Sequence, residues 1–551
     1  MFSSVGPRLA QTGDSRKPAL PNSTAQARDL PSTTIHDLPI ELLVEIVGYI
    51  SEPHDRYSLC LASKPLNSAA TACLYHSISV GRDALRLQEL VRTLSESPAL
   101  AMHIKSVHLH LPNDVSDVTP AQSELNGFLE AIRPLTPHDS RFHHKLANAL
   151  RHGYYDGNAI LLLLLATQVD ELHLIPDGGH AAFRQSHAHP CSSQQFTDLI
   201  RALIVWAETA GPTTSVARSS SAQPSSALNN VRKLCFYSAT SPEFKVRPRD
   251  LPADCCSTAF PFQYMFLPHL EDLRARGSAS WQSLSPGYGQ ANAHITRLRL
   301  EWTSMDSKNI GLAIRTCHKL IELHIQWHDD ILDPRYSDKV IDLDEIRSAL
   351  NEHAATLKRL QLIFMTPEVS LELLRGDLGT LSHFSALETL RIDETSLFKS
   401  EVTRYIDLWE PLGSFQRASG FLPPNLKEFR LDSRKQPFAE IIHRVLATIS
   451  AMLPANLTRL NVSFEFNYWK ELHQHIECCQ WLSFHPSIGG STCGGGFDVP
   501  YSRMLIVTVQ HKDGVLVGLR EALATNLMKA IRIGLEDEEV DDSDDDDSDE
   551  E

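Results

Sequence analysis

The chain has 551 residues, 42% of them hydrophobic and 22% charged, enough core-forming material for two to four ordinary domains or one long repeat array. Its formal net charge is −17, but thirteen of those negative charges lie in 536–551, so the body is nearly balanced and a basic nucleic-acid-binding surface is not expected. No apolar run approaches the roughly 20 residues of a membrane span, and residues 1–10 lack the apolar stretch of a signal peptide. The ten cysteines are spread thinly and read as reduced thiols, consistent with a chain of the cytoplasm or nucleus that meets no membrane.

In chain order, residues 1–33 are polar with scattered prolines and predict a disordered tail. The first predicted element follows Leu38-Pro39-Ile40-Glu41-Leu42-Leu43-Val44-Glu45-Ile46. Pro39 suits the first helical position, and Glu41 puts negative charge in the first turn. Leu38, Leu42, Ile46 and Tyr49 recur at helical spacing, and Leu43 and Val47 widen that apolar face, so the helix needs a covering partner. A second short helix is expected over 55–64, stopped near Pro65, and a third, Ala-rich helix over 66–75.

The stretch 38–80 combines Leu-Pro-x-Glu-Leu-Leu, Asp-x-x-x-Leu-x-Leu and Cys73-Leu74-Tyr75-His76-Ser77-Ile78. This combination resembles the F-box as it occurs in fungal F-box proteins. The resemblance implies a three-helix F-box over 34–80 that docks onto the small adaptor subunit of an SCF-type cullin–RING ubiquitin ligase. Leu38, Pro39, Glu41, Leu42, Leu43 and Ile46 would then lie on or support that contact. The other reading is an ordinary three-helix packing unit.

From residue 81 to 535 one pattern returns ten times: apolar-x-x-apolar-x-apolar, beginning at Ile104, Val169, Val231, Leu270, Ile295, Leu320, Leu357, Leu387, Leu426 and Leu457. The end of each match alternates with period two, a strand signal, and helical stretches such as 343–355 and 438–452 lie between matches. Strand, loop and helix at 25–39-residue intervals resemble a degenerate leucine-rich-repeat solenoid, giving an α/β fold; the alternative is a large α/β domain with a conventional parallel sheet. The first two intervals, 65 and 62 residues, predict insertions or unseen repeats. Residues 159–166, with five consecutive leucines, predict a buried helix. Residues 207–230 and 277–291 predict surface insertions, and 504–510 a strand after a glycine-rich loop.

Candidate chemistry is sparse. His187-x-His189-x-Cys191, the group His473, His475, Cys478 and Cys479, and the pair Cys255-Cys256 all lack a second ligand pair at zinc-finger spacing, so neither metal nor cofactor is expected. No phosphate-loop, dinucleotide or nucleophile-elbow signature occurs. The expected role is therefore a non-catalytic substrate receptor whose repeats hold a target protein. The rivals are an interaction scaffold unconnected to ubiquitination and an enzyme of unrecognised class.

Reading the residue between the last two apolar positions of each match gives a column of His108, His173, Cys235, Arg274, Arg299, His324, Gln361, Arg391, Arg430 and Asn461. It contains four arginines and no acid. Either the acids in flanking columns neutralise Arg274, Arg299, Arg391 and Arg430, or these arginines receive an acidic or phosphorylated segment of the target. Residues 536–551 are too densely charged to fold alone, and Ser543 and Ser548 stand in acidic surroundings that suit acid-directed kinases or simply a solvating tail.

Overall fold

The computed structural model describes residues 35–111, 120–136, 141–176, 199–200, 202–203, 228–237, 259–260, 264–265, 267–277, 280–281, 294–303, 305–327, 340–364, 374–376, 378–393, 422–433, 456–466 and 503–510. The chain divides into two compact units, one ending at Cys73 and one beginning at Leu74.

The first unit holds α1 (Ile40–Gly48), α2 (Pro53–Ala62) and most of α3 (Lys64–His76). Pro39 is the N-cap of α1 rather than its first helical residue, and its carbonyl accepts from the Leu43 N–H at 3.1 Å. Pro53 opens α2, and Pro65 sits in the first turn of α3. The second helix ends at Ala62, short of Pro65 as the sequence predicts, and Pro65 itself falls in the first turn of the third, where a proline gives up no intrahelical hydrogen bond. The core is Leu43, Val47, Leu66, Ala69 and Ala70, flanked by half-buried Leu38, Val44, Leu59, Cys60 and Cys73. Polar bonds tie the helices together. Arg56 Nε donates to Ile50 O at 2.7 Å, Asn67 Nδ2 donates to Cys60 O at 2.7 Å, and Cys73 Sγ donates to Val44 O at 3.4 Å.

The second unit is an α/β arrangement around one large sheet. It begins with β1 (Ser77–Val80), α4 (Ala84–Glu96), α5 (Pro98–Ala101) and β2 (Ser106–Leu111). The Asp83 carboxylate caps α4 by accepting from the Leu85 and Arg86 N–H groups. Between β2 and β3 (Glu171–Pro176) lie α6 (Gln122–Ile132), α7 (Arg141–Arg151) and α8 (Tyr155–Leu165). These three helices account for the first long interval between pattern matches. The leucine run falls in α8, which is buried on nearly every side as its all-round apolarity requires. Gly157 lets α8 approach α7, since a Cβ there would stand 3.0 Å from the Ala149 backbone.

The remaining strands are β4 (Lys233–Tyr237), β5 (Ala259–Phe260), β6 (Asp272–Arg276), β7 (Ser280–Trp281), β8 (Arg297–Thr303), β9 (Glu322–Trp327), β10 (Ile341–Asp342) and β11 (Arg359–Phe364). They continue with β12 (Leu374–Arg375), β13 (Thr389–Asp393), β14 (Glu428–Ser433), β15 (Arg459–Phe466) and β16 (Arg503–Gln510). Helix Ser307–Thr316 follows β8, and helix Leu343–Asn351 precedes β11; their N-caps are Asp306 and Asp342. Twelve strands form the large sheet in the order β1-β2-β3-β4-β6-β8-β9-β11-β13-β14-β15-β16. Each is parallel to the one before except β16, which runs antiparallel to β15. Pairs β5–β7 and β10–β12 are short and separate.

All ten pattern matches land on this sheet, and their apolar positions fill one core. The opening residues from Ile104 to Leu457 are buried, as are the middle and last residues from Val107 and Leu109 through Phe429 and Leu431. Each such side chain contributes about 1.5–3 kcal/mol on burial. The entry to each strand repeats one hydrogen-bond device: Asp170, Arg232, Glu271, Thr296, Ile321, Lys358, Glu388 and Lys427 each offer a carbonyl to two consecutive N–H groups of the next strand. One position before the pattern, Asn230, Asn425 and Asn456 donate side-chain N–H groups to carbonyls of the preceding turn, at 2.7, 2.8 and 3.2 Å. Thr356 does the same with its hydroxyl, to Leu320 O at 2.8 Å. The strand Ser77–Val80, read from sequence as the end of the F-box-like stretch, pairs with β2 and so extends this ladder.

Candidate functional site

Two surfaces qualify, one on each unit. On α1, Leu43 and Val47 lie one turn apart and point into the small core, at 2% and 1% exposure. Leu42 and Ile46 occupy the neighbouring stripe and stay 45% and 44% exposed, with Tyr49 at 82% just past the helix end. The sequence suggested one wide apolar face. The three-helix packing splits it into an inner stripe and an outer one, because a core of five buried residues is too small to cover both. Ile40 on α1, with Tyr57 and Leu61 on α2, adds further exposed apolar surface. Among the predicted contact residues, Leu42 and Ile46 are outward, Pro39 and Glu41 are exposed, Leu38 is half-buried, and Leu43 is a core support.

On the sheet, register places the predicted column residue for residue. His108 pairs with His173, then Cys235, Arg274, Arg299, His324, Gln361, Arg391, Arg430 and Asn461 on successive strands. The four arginines are internally paired. Arg274 Nη2 lies 2.7 Å from Glu301 Oε2, and Arg299 Nη2 lies 3.0 Å from Glu322 Oε1, which Arg359 also holds on its other oxygen. Asp432, almost fully buried, accepts from both Arg391 at 2.6 Å and Arg430 at 3.0 Å. The acids of the flanking columns therefore neutralise these guanidinium groups, while each arginine keeps between a quarter and a third of its side chain exposed. Beside them, Arg276 stacks over Trp302 at 4.8 Å; Trp302 has φ +54°, in a bulge between Leu300 and Thr303.

The N-terminal end of the column has another chemistry. The imidazoles of His108 and His173 stack at 3.9 Å, 8° from parallel, and His173 stacks in turn on Tyr237 at 5.9 Å. His173 Nε2 lies 2.8 Å from Glu171 Oε1, which also binds the Lys233 ammonium. Cys235 is a buried free thiol on the next strand. Burial lowers the pKa of both imidazoles, with mutual repulsion adding to it for His108. Burial raises that of Cys235. For Glu171, burial favours the protonated form, but hydrogen bonds from Lys233 and His173 outweigh it and hold the carboxyl below its ordinary range. One donor atom each from Glu171, His173 and Cys235 falls within 4.8 Å of the others. Sequence spacing missed this group because its members sit on two strands; the signal was two histidines and a cysteine adjacent in the column, with Glu171 two residues before His173 and so on the same face.

The sequence-predicted clusters at 187–191, 255–256 and 473–479, the helix at 438–452, the glycine-rich loop, Ser543, Ser548 and the acidic tail lie outside the described residues. No helix among the described residues is long and apolar enough to cross a membrane. The chain matches no family model and no curated protein.

Proposed function

We propose that this chain is a non-catalytic substrate receptor of an SCF-type cullin–RING ubiquitin ligase, acting in the cytoplasm or nucleus. The observation that carries the reading is the outer stripe Leu42–Ile46–Tyr49 on a small three-helix unit, left exposed while its neighbours Leu43 and Val47 form the core. An apolar stripe of this size on so small a unit is the mark of a surface that docks. In this reading Leu38, Pro39, Glu41, Leu42, Leu43 and Ile46 make or support the adaptor contact, and the chain performs no chemistry.

The second unit then serves as a leucine-rich-repeat-like solenoid that presents the target. The strand-by-strand repetition of the carbonyl device and of the Asn bonds to the preceding turn supports this, because it is what translation of one unit produces. The target is a protein with an acidic or phosphorylated segment, engaged through the exposed edges of Arg274, Arg299, Arg391 and Arg430, each of which keeps between a quarter and a third of its side chain exposed.

Co-purification of the adaptor with the full chain tests the reading. Leu42→Asp with Ile46→Asp should abolish adaptor recovery while the protein remains folded. Undiminished recovery overturns the assignment and leaves the interaction scaffold without a ligase as the better account.

A further inference from the structure

We infer that Glu171, His173 and Cys235 form a site for a zinc-class divalent cation at the N-terminal end of the sheet column. This inference stands apart from the ligase reading. The donor set is a carboxylate oxygen, an imidazole nitrogen and a sulfur, the mixture that tetrahedral zinc accepts, in contrast to the all-oxygen sets of calcium and magnesium. Three donor atoms are already gathered within 4.8 Å. Zinc–ligand bonds of about 2.0–2.3 Å place tetrahedral donors about 3.3–3.8 Å apart, so the donors need to draw together by about 1–1.5 Å at most.

The strand register holds the donors together. Glu171 and His173 lie on β3 and Cys235 on β4, two adjacent strands held by the register Glu171–Lys233 and His173–Cys235. The ring of His108 stacks on that of His173 and limits its rotation. Glu171 has two oxygens, so it can bind the cation through one and retain Lys233 on the other, as outer-shell partners of metal ligands do. The thiol proton of Cys235 is lost to solvent on binding, and the thiolate formed neutralises one of the two cation charges. The cation would bridge β3 to β4 across the long chain segment that separates them, where a cross-link constrains the unfolded state most.

The test uses the full chain, purified reduced and stripped with a chelator, titrated with Zn(II) by calorimetry and with Co(II) by absorption. The wild type should bind one equivalent that Cys235→Ser does not, show a thiolate-to-cobalt band reduced in that variant, and release about one proton per zinc at neutral pH. Glu171→Gln and His173→Gln should weaken zinc by at least the roughly 10–100-fold that loss of an outer-shell partner costs. Because other cysteines are present, the wild-type-minus-variant difference is what is read. If Cys235→Ser is unfolded by circular dichroism, Glu171→Gln decides alone, since Glu171 is only half-buried. Equal zinc affinity and an equal cobalt band in wild type and variants would overturn the site and leave a Glu171–His173 hydrogen bond beside a buried thiol.

Discussion

The two units handle the same residue type in opposite ways. In the helical unit, Leu42 and Leu43 are neighbours in sequence, yet one faces solvent and the other the core. In the sheet unit, every pattern leucine whose burial is described is buried, and the arginines of the column between them are ion-paired. A three-helix unit has too little interior to enclose both stripes of α1. A sheet that gains parallel strands, each bringing its own inward apolar positions, grows its core as it grows its surface. Among the described residues, exposed large apolar side chains are therefore denser on the first unit, while the second keeps fewer, Leu85, Met102 and Leu312.

The sharpest break of this comparison is a pair of truncations on one helix. Leu43→Ala should destabilise its unit by about 2–5 kcal/mol through lost burial and a cavity. Leu42→Ala should stay within about 0.5 kcal/mol, as surface changes do. Hydrogen exchange of the α1–α3 amides in the full chain reads both. In the sheet unit, Leu360→Ala on the central strand β11 should cost about 2–5 kcal/mol by chemical denaturation, and that unit has no exposed pattern leucine to serve as a neutral control.

The next effect lies in the ion pairs. Asp432 is 1% exposed and accepts from two guanidinium groups. Asp432→Asn keeps the shape but removes the charge, and hydrogen bonds to charged groups are worth about 1.5–3 kcal/mol each, so a loss of about 2–3 kcal/mol is expected. A denaturation midpoint unchanged by this substitution would show that Arg391 and Arg430 are held by something else.

These pairs mark where sequence reading stopped. The ten strands and their register were legible because three apolar positions at fixed spacing determine which residues face the core, and a one-residue slip would expose all of them. The partners of the column were not. Arg274 meets Glu301, two residues beyond Arg299 on the next strand, and nothing in either local sequence fixes that choice over Glu271 or Asp272. The helices α6 and α7 were hidden in the first long interval for a related reason: they carry no strand pattern, whereas the leucine run made α8 legible. The split of the α1 stripes was illegible because helical spacing groups Leu42 with Leu43, and only the positions of Leu66, Ala69 and Ala70 decide which faces inward.

The stacked histidines add a pH dependence to the sheet unit alone. Burial depresses the pKa values of His108, His173 and His324 in the folded chain. As pH falls below about 6.5, the unfolded chain takes up protons first, so stability is full above that value and declines as pH drops from it toward the lower folded values. Glu171, Lys233 and Arg274 surround His173, and the depressed carboxyl of Glu171 adds a separate loss only below its ordinary value near 4.5. His108→Gln with His173→Gln should flatten the decline between pH 6.5 and 5 in thermal melts. A decline of unchanged steepness would place its origin in other groups.

The smallest effect separates inner from outer pairs on the same sheet. Arg459 and Glu428 lie 3.4 Å apart on β15 and β14, with 49% and 34% of their side chains exposed. Arg299 and Glu322 lie 3.0 Å apart, with the carboxylate only 9% exposed. Both pairs cross adjacent strands, so they differ mainly in solvent access. Water and salt screen the outer pair, and holding two long side chains in place costs entropy, so a double-mutant cycle on Arg459 and Glu428 should give below about 0.5 kcal/mol. That coupling should vanish in about 1 M salt, where the Debye length falls to about 3 Å. The Arg299–Glu322 cycle should give more and keep most of it in salt, since its carboxylate is shielded from ions. Equal couplings with equal salt dependence would mean that burial of one partner does not govern these pairs, and the contrast between a solvated rim and a shielded column would fall.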